Sequence, residues 1–283
     1  IEEESTLLGK ISGLPTPSPV LQRVCAATSN PDSSATDVVD ALKQDPALIS
    51  RVLRLANSAY MGVPRTVSSP RNAVVLLGQK RVRALVMSAS TLSSLHVDPS
   101  AGFSLEDFWR HSMVVGLIAE SVGKHLRRYG AVEPDEMFSA AIMHDLGKLI
   151  LGVYEPRRMA VAVETSRRDG MPLHQAETSE LRHTKAGRLL ADYWNFPADI
   201  TDAVAFHHAP GSARNCARLV AVVHIADAMA HTIGFQVSPG EEPPEVDSNA
   251  LSRVSLPLER LRVIARDVLE QGEKLEALLE AVA

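Results

Sequence analysis

The sequence predicts an almost entirely α-helical protein, and three observations carry that reading. Apolar residues recur at helical spacing in one segment after another. No sustained apolar/polar alternation, the mark of a half-buried strand, interrupts them. Aromatic residues, which strands favour, make up only 4% of the chain.

The elements follow in order. Leu14-Pro15-Thr16-Pro17-Ser18-Pro19 reads as a rigid non-helical entry, because each proline fixes its own backbone and biases the preceding residue away from the helical region. Val20 to Thr28 is a short amphipathic helix stopped by Asn30-Pro31, and Ser34 or Thr36 caps a second that runs through Lys43. Asp45 as N-cap and Pro46 in the first turn open a third, whose Leu48, Ile49, Val52, Leu55 and Ala56 repeat at helical spacing. It ends at Asn57-Ser58-Ala59-Tyr60-Met61-Gly62. Arg65 to Ser69 is a loop, Pro70 starts the next helix, and Gly78 separates that from a long segment to about Leu95. His96 to Gly102, with Asp98-Pro99-Ser100, is the best boundary and closes an N-terminal part over 1–98. Ser104 then caps a helix to about Tyr129, Gly130 to Pro134 is a break, and a helix spans Asp135 to Leu151. Shorter helices at Glu155–Arg168, Leu173–Glu180, His183–Trp194, Ala198–His207 and Arg214–Ile233 complete a second part over 99–235. The remainder, 236–283, is an acidic, proline-rich loop from Gln236 to Asn249 and an amphipathic helix from Pro257 to Ala281, packed on the N-terminal part or on a second subunit.

At 283 residues the chain is long enough for one large domain or two ordinary ones. A net charge of −5 argues against bulk attraction to DNA or an anionic membrane, and no apolar run approaches the roughly 18 residues of a spanning helix. Cys25 and Cys216 have no CxxC or zinc-type spacing and read as packed small side chains of a reduced, cytoplasmic protein. Ile1-Glu2-Glu3-Glu4 is acidic where an export signal would be basic, and the lack of an initiator Met points to a fragment with an upstream domain removed.

One stretch carries chemistry. Ala140 to Ile150 sets His144 and Asp145 inside an apolar helical run. Neighbouring side chains on a helix diverge by about 100°, so both reach one cavity only on the seam between them, with Lys148 on the same side one turn on. Ionisable groups on a buried face must be paired or coordinated, so a hydrogen-bonded pair and a metal-ligating pair both answer the pattern. Further candidates recur in order: His111, His183, the doublet His207-His208, and Asp227. Imidazole with carboxylate suits iron, manganese or zinc, and a bridging carboxylate among histidines suits a dinuclear site. Other readings stand beside this: His111 packed against Trp109, His208 turned to solvent, and Asp227 paired with His224 or His231 on its own helix face. His96, His125 and His174 read as surface residues, and Lys80-Arg81-Val82-Arg83 and Arg127-Arg128 as solvated faces.

Taken together, several stretches resemble the HDOD family, a branch of the HD superfamily related to the HD-GYP phosphodiesterases. They are Leu14-Pro15-Thr16-Pro17, Asp45-Pro46-Ala47-Leu48 through Leu55-Ala56-Asn57-Ser58-Ala59, Ala73-Val74-Val75-Leu76-Leu77-Gly78, Phe108-Trp109-Arg110-His111-Ser112, the His144-Asp145 stretch, and Gly187 with Trp194, Pro197 and His207-His208. They cover Leu14 to about Gly234. The resemblance implies two helical lobes, an N-terminal bundle and a C-terminal HD-like lobe. His111, His144, Asp145, His183, His207, His208 and Asp227 match metal ligands of the related phosphodiesterases, a set that many HDOD members have partly lost. Lys148 matches a lysine that holds a phosphate oxygen as a point charge. The implied cofactor is a divalent transition metal, as a dinuclear pair, with iron or manganese ahead of zinc. His207-His208 is followed by Ala209-Pro210-Gly211 and no Gly-Tyr-Pro segment, which weighs against hydrolysis of cyclic di-GMP.

The expectation is a bacterial signal-transduction regulatory domain with a metal-binding HD site, the output part of a larger response-regulator-like protein. Its implied partners are another protein or an upstream receiver-type domain, with a nucleotide as a further ligand. A metal-dependent phosphohydrolase acting on a nucleotide or cyclic dinucleotide is the alternative, and a non-hydrolysing small-ligand sensor a third reading. Asn57-Ser58 reads as a helix stop ahead of a partner contact.

Overall fold

The computed structural model describes Gly9, residues 18–30, 32–58, 61–127, 133–238, 240–270, Gly272 and Glu276, with backbone alone at 90–94. Among these residues every regular element is helical, in agreement with the all-α expectation. The chain divides between Ser94 and Leu95, and the second unit runs to Leu269. The segments Leu14 to Pro17, Ala59-Tyr60, Arg128-Tyr129, Pro239 and the end of the last predicted helix lie outside the described residues.

The first unit holds α1 (Pro19–Ser29), α2 (Ala35–Leu42), α3 (Pro46–Ala56), α4 (Pro70–Leu77) and α5 (Gln79–Ser94). Side-chain caps set their starts. Ser18 Oγ accepts the Leu21 N–H, Ser34 and Asp37 form a reciprocal capping box, and Asp45 accepts from Ala47 and Leu48. Helix α1 packs on α2 and α5, and α3 on α4, burying Val24, Val38, Leu42, Val52, Leu55 and Leu77. Past the end of α3, Asn57 Nδ2 donates to Leu53 O and Val67 O, both at 2.8 Å, while its Oδ1 accepts the Val67 N–H at 2.6 Å. That residue therefore closes a helix and ties down the loop after it. Arg81 and Arg83 are not solvated as their charge suggests: they are only 5% and 4% exposed on α5. Their long aliphatic stems allow that burial.

The second unit opens with a 3₁₀ turn (Pro99–Ala101) and continues through α6 (Leu105–Leu126), α7 (Pro134–Met143), α8 (Leu146–Tyr154), α9 (Pro156–Asp169), α10 (Leu173–Ala176), α11 (His183–Tyr193) and α12 (Ala198–Phe206). After these come α13 (Ala217–Thr232), α14 (Ser248–Val254) and α15 (Leu258–Leu269). Helix α6, capped by Ser104, packs along α7 and α13, while α11 packs on α8 and α12. The predicted helix over Asp135–Leu151 is in fact two, because α7 ends at Met143 and α8 begins at Leu146. Asp145, at φ −94° and ψ 11°, leaves the helical region between them. The turn there sets both side chains toward one cavity, where a straight helix would splay them by its ~100° step.

Other boundaries moved for identifiable reasons. The predicted helix over Leu173–Glu180 stops at Ala176, and the following turns carry a buried Glu177. The described part of the final helix packs on α6 and α13 of its own unit, through Leu261, Ile264, Ala265 and Val268. Two glycines set the approach of α8 to α11. A Cβ on Gly147 would lie 1.7 Å from His183 O, and one on Gly187 would lie 2.5 Å from Val204 Cγ1. Among the described residues, no helix is long and apolar enough to cross a membrane.

Candidate metal centre

The seven predicted residues converge in the core of the second unit. His111 comes from the middle of α6, His144 and Asp145 from the turn between α7 and α8, and His183 from the first residue of α11. His207 and His208 follow the end of α12, and Asp227 lies within α13. They form two groups, Asp145 with His183, His207 and His208, and His111 with His144 and Asp227, each with ligand atoms within 4.8 Å of one another.

Four histidines are fixed in one tautomer by their outer hydrogen bonds. His111 Nδ1 faces Phe235 O at 2.9 Å, His144 Nδ1 faces Ala141 O at 2.6 Å, and His207 Nδ1 faces Ala203 O at 3.0 Å. His183 Nδ1 faces the Glu177 carboxylate at 2.8 and 2.9 Å. Carbonyl and carboxylate oxygens only accept, so each Nδ1 carries a hydrogen and each Nε2 faces inward, offering a lone pair wherever the ring is neutral.

Those inward nitrogens surround Asp145. Its Oδ1 lies 3.4 Å from His183 Nε2 and 3.5 Å from His207 Nε2, and its Oδ2 lies 3.5 Å from His111 Nε2 and 3.4 Å from His144 Nε2. Asp227 Oδ1 joins the second pair at 3.3 and 3.7 Å, and its Oδ2 is 3.9 Å from His208 Nδ1. Ligand atoms about 2.0–2.2 Å from one ion stand roughly 3.0–3.5 Å apart, so these separations suit two ions sharing Asp145. The donor chemistry fits as well. His183 and His207 bring Nε2 lone pairs to 3.1 Å, and His111 and His144 to 3.4 Å, contacts that repel without a cation or proton between them. Asp145 Oδ1 and Asp227 Oδ1 are buried and receive no hydrogen bond among the described residues.

The electrostatics show how the cluster holds charge. Burial opposes the charged form of His144, but the Asp145 and Asp227 carboxylates outweigh it and push its pKa up to about 9. Burial likewise opposes ionisation of Asp145, yet His144 and Lys148 hold it well below the usual carboxylate range. For His207 burial wins and the pKa falls to about 4. Lys148 Nζ sits 2.8 Å from Asp145 Oδ2, which together with Glu241 overcomes burial and keeps the amine charged.

Three residues that the motif reading did not place in the site complete it. Glu177 also accepts the backbone N–H of His183, at 3.1 Å, so it holds that residue at two points. Glu241, from the acidic loop, is buried, with Oε1 3.4 Å from His231 Nε2 and 3.9 Å from Lys148 Nζ. His231 Nδ1 donates to the Asp227 backbone O at 3.0 Å and stands 3.1 Å from its Oδ1, so the two are neighbours on one helix face as the sequence suggested, alongside the place of Asp227 in the cluster. The one available sequence signal was the i, i+4 spacing of Asp227 and His231; nothing local marks Glu177 or Glu241. His224 is structural, its Nδ1 donating to His207 O at 2.7 Å and its Nε2 accepting the Asp247 N–H at 2.9 Å. His174, expected on the surface, is half-buried and stacked on His208 with centroids 4.0 Å apart. That stack shields its ring from solvent.

Comparison with known proteins places this architecture. The profile of the HDOD domain matches residues 14–210. An uncharacterized protein from Treponema pallidum (strain Nichols) is 25% identical over 206 residues, which is 72% of this chain and 39% of that protein. This chain therefore spans well under half of that relative's length. Among solved structures, a provisionally named phosphohydrolase from Shewanella amazonensis is 26% identical, with a TM-score of 0.72 over 98% of both chains. An HDOD domain protein of unknown function from Geobacter sulfurreducens is 23% identical, with a TM-score of 0.75 over 100% of this chain and 99% of that one. A provisionally named signal-transduction protein from Marinobacter aquaeolei is 18% identical, with a TM-score of 0.82 over 99% of this chain and 65% of that one.

Proposed function

The chain belongs to the HDOD domain family, and from that premise we propose that it binds two divalent transition-metal ions in its second unit and acts on phosphate esters. One observation carries the reading: Asp145 lies between two sets of inward-facing histidine nitrogens, one around each of its oxygens. The name given to the Shewanella amazonensis neighbour points the same way. Ions held there would supply an acidified water and neutralise charge on a phosphoryl group. The chain's own contribution is orientation, through the outer hydrogen bonds of His111, His144, His183 and His207, and a fixed positive charge from Lys148.

A second reading rests on Glu241. Its carboxylate lies beside Lys148 and His231, on the amine that a phosphate oxygen would seek. That contact suits a regulatory domain of a signalling protein, whose metal centre reports or shapes a conformation without turnover. Metal analysis after loading with manganese or iron, followed by assay with a phosphate monoester and a diester, separates the two. Two ions per chain and turnover lost in Asp145→Asn support the first reading. Two ions without turnover support the second, and no bound metal overturns both.

A further inference from the structure

The centre is nearly sealed. Six of the seven candidate ligands have side chains 0–2% exposed, and only His208 reaches solvent, at 11%. One flank is taken by Glu241 against His231 and Lys148. Of the seven, His208 is therefore the one that a small molecule can reach from solvent.

His208 lines a pocket of about 380 Å³, between α10, α11 and α12, together with His174, Arg182, Lys185, Arg188 and Phe206. We propose that this pocket is the ligand entrance to the centre and takes a small phosphate monoester with a flat organic group, a nucleoside monophosphate in size and character. The inference rests on the phosphate-ester reading above and names its substrate class and its route.

Charge is the first argument. Three cationic side chains, Arg182, Lys185 and Arg188, gather at the mouth on a chain whose net charge is −5. The acid in the same lining, Glu177, is turned to His183 and so does not neutralise them. Lys185 donates to Ser179 O and Arg188 leans on Asp192 at 3.4 Å, while Arg182 has no ion pair among the described residues. Exposed guanidinium groups supply the forked donors that phosphate oxygens accept.

The wall supplies the second argument. His174 and His208 stack with planes 15° apart, and the Nδ1 of each is buried with no hydrogen bond among the described residues. The stacked pair thus forms a flat wall on that side of the pocket. Phe206, with Arg188 5.7 Å from its ring centroid, adds a flat apolar surface for the organic part. Size sets the limit. Small-molecule sites span roughly 300–1,000 Å³, so this pocket suits a mononucleotide more than a cyclic dinucleotide or a protein segment.

The test is calorimetry on the full chain, manganese-loaded and again in chelator, with inorganic phosphate and 5′-AMP as probes and metal content measured in parallel. The paired variant Arg182→Glu/Arg188→Glu should weaken both probes at least tenfold and leave metal content and circular dichroism unchanged. Phe206→Ala should weaken 5′-AMP and spare inorganic phosphate. Equal binding by the wild type and the charge-reversed pair overturns the proposal, as does a wild type that takes up two ions and binds neither probe. Charge-dependent binding in chelator, from a chain that never takes up metal, would keep the pocket and discard the dinuclear reading. Absence of both binding and metal would discard the two together.

Discussion

Glu177 grips His183 from both ends, accepting its ring Nδ1–H at 2.8 Å and its backbone N–H at 3.1 Å. The carboxylate fixes the ring's direction and tautomer. Removing such an outer partner of a metal-binding histidine costs about 10–100-fold in affinity. Glu177→Gln should therefore lower manganese affinity by that order for one ion of the pair, read by calorimetry, with the fold retained. Unchanged affinity for both ions would remove Glu177 from the centre.

Gly147 admits no side chain. A Cβ there would fall 1.7 Å from His183 O and 2.7 Å from Gly187 N, backbone atoms that cannot swing away. Gly147→Ala should cost about 3 kcal/mol or more and lower metal uptake, because α8 and α11 must part and His183 moves with α11. Gly211→Ala, with nothing within 4 Å, is the matched control and should stay within about 0.5 kcal/mol in urea unfolding.

Charge neutralisation between Asp145 and Lys148 can be isolated by a double-mutant cycle. Their contact is 2.8 Å and both side chains are essentially buried. Asp145→Asn leaves a buried amine without its carboxylate and should destabilise the metal-free chain by roughly 3–5 kcal/mol. Adding Lys148→Met should recover much of that, since no buried charge then lacks a partner. Additive losses in the cycle would show that the pair is not coupled.

The pKa of His144 sets opposite pH trends for stability and for metal uptake. It is raised from 6.5 to about 9. A raised value means that the folded chain holds the proton more tightly, so this stabilisation is full below about 6.5 and is lost as pH climbs through about 9. Metal binding needs the neutral ring, so manganese affinity should increase over the same interval. Thermal unfolding in chelator against titrations at pH 6.5 and 9 checks both signs. A metal affinity flat across that range would contradict the assignment.

In the first unit, Asn57→Ala removes the clamp on Val67 and the bond to Leu53 O. About 1–2 kcal/mol should be lost in urea unfolding of that unit, with metal content unaltered. A change in metal content would instead tie Asn57 to the centre.

Much of this protein was legible in one dimension. Helix type follows from apolar spacing, and the starts at Ser34, Asp45 and Ser104 follow from side chains that satisfy free N–H groups within the next few residues. These are local causes. The candidate ligands were legible too, because histidine and aspartate inside apolar helix runs demand a partner wherever the chain takes them.

Long-range placement decided the rest. The break at His144-Asp145, inside a stretch with helical spacing on both sides, turns two diverging side chains toward one cavity. Glu177 and Glu241 look like ordinary surface acids in sequence and become buried partners of His183 and Lys148 only when distant segments pack. Arg81 and Arg83 show the same, reading as solvated and lying buried. Sequence alone determined which elements form and which side chains could bind a cation. Tertiary packing decided which atoms face one another across Asp145, because hydrogen-bond geometry and desolvation depend on neighbours in space and not along the chain.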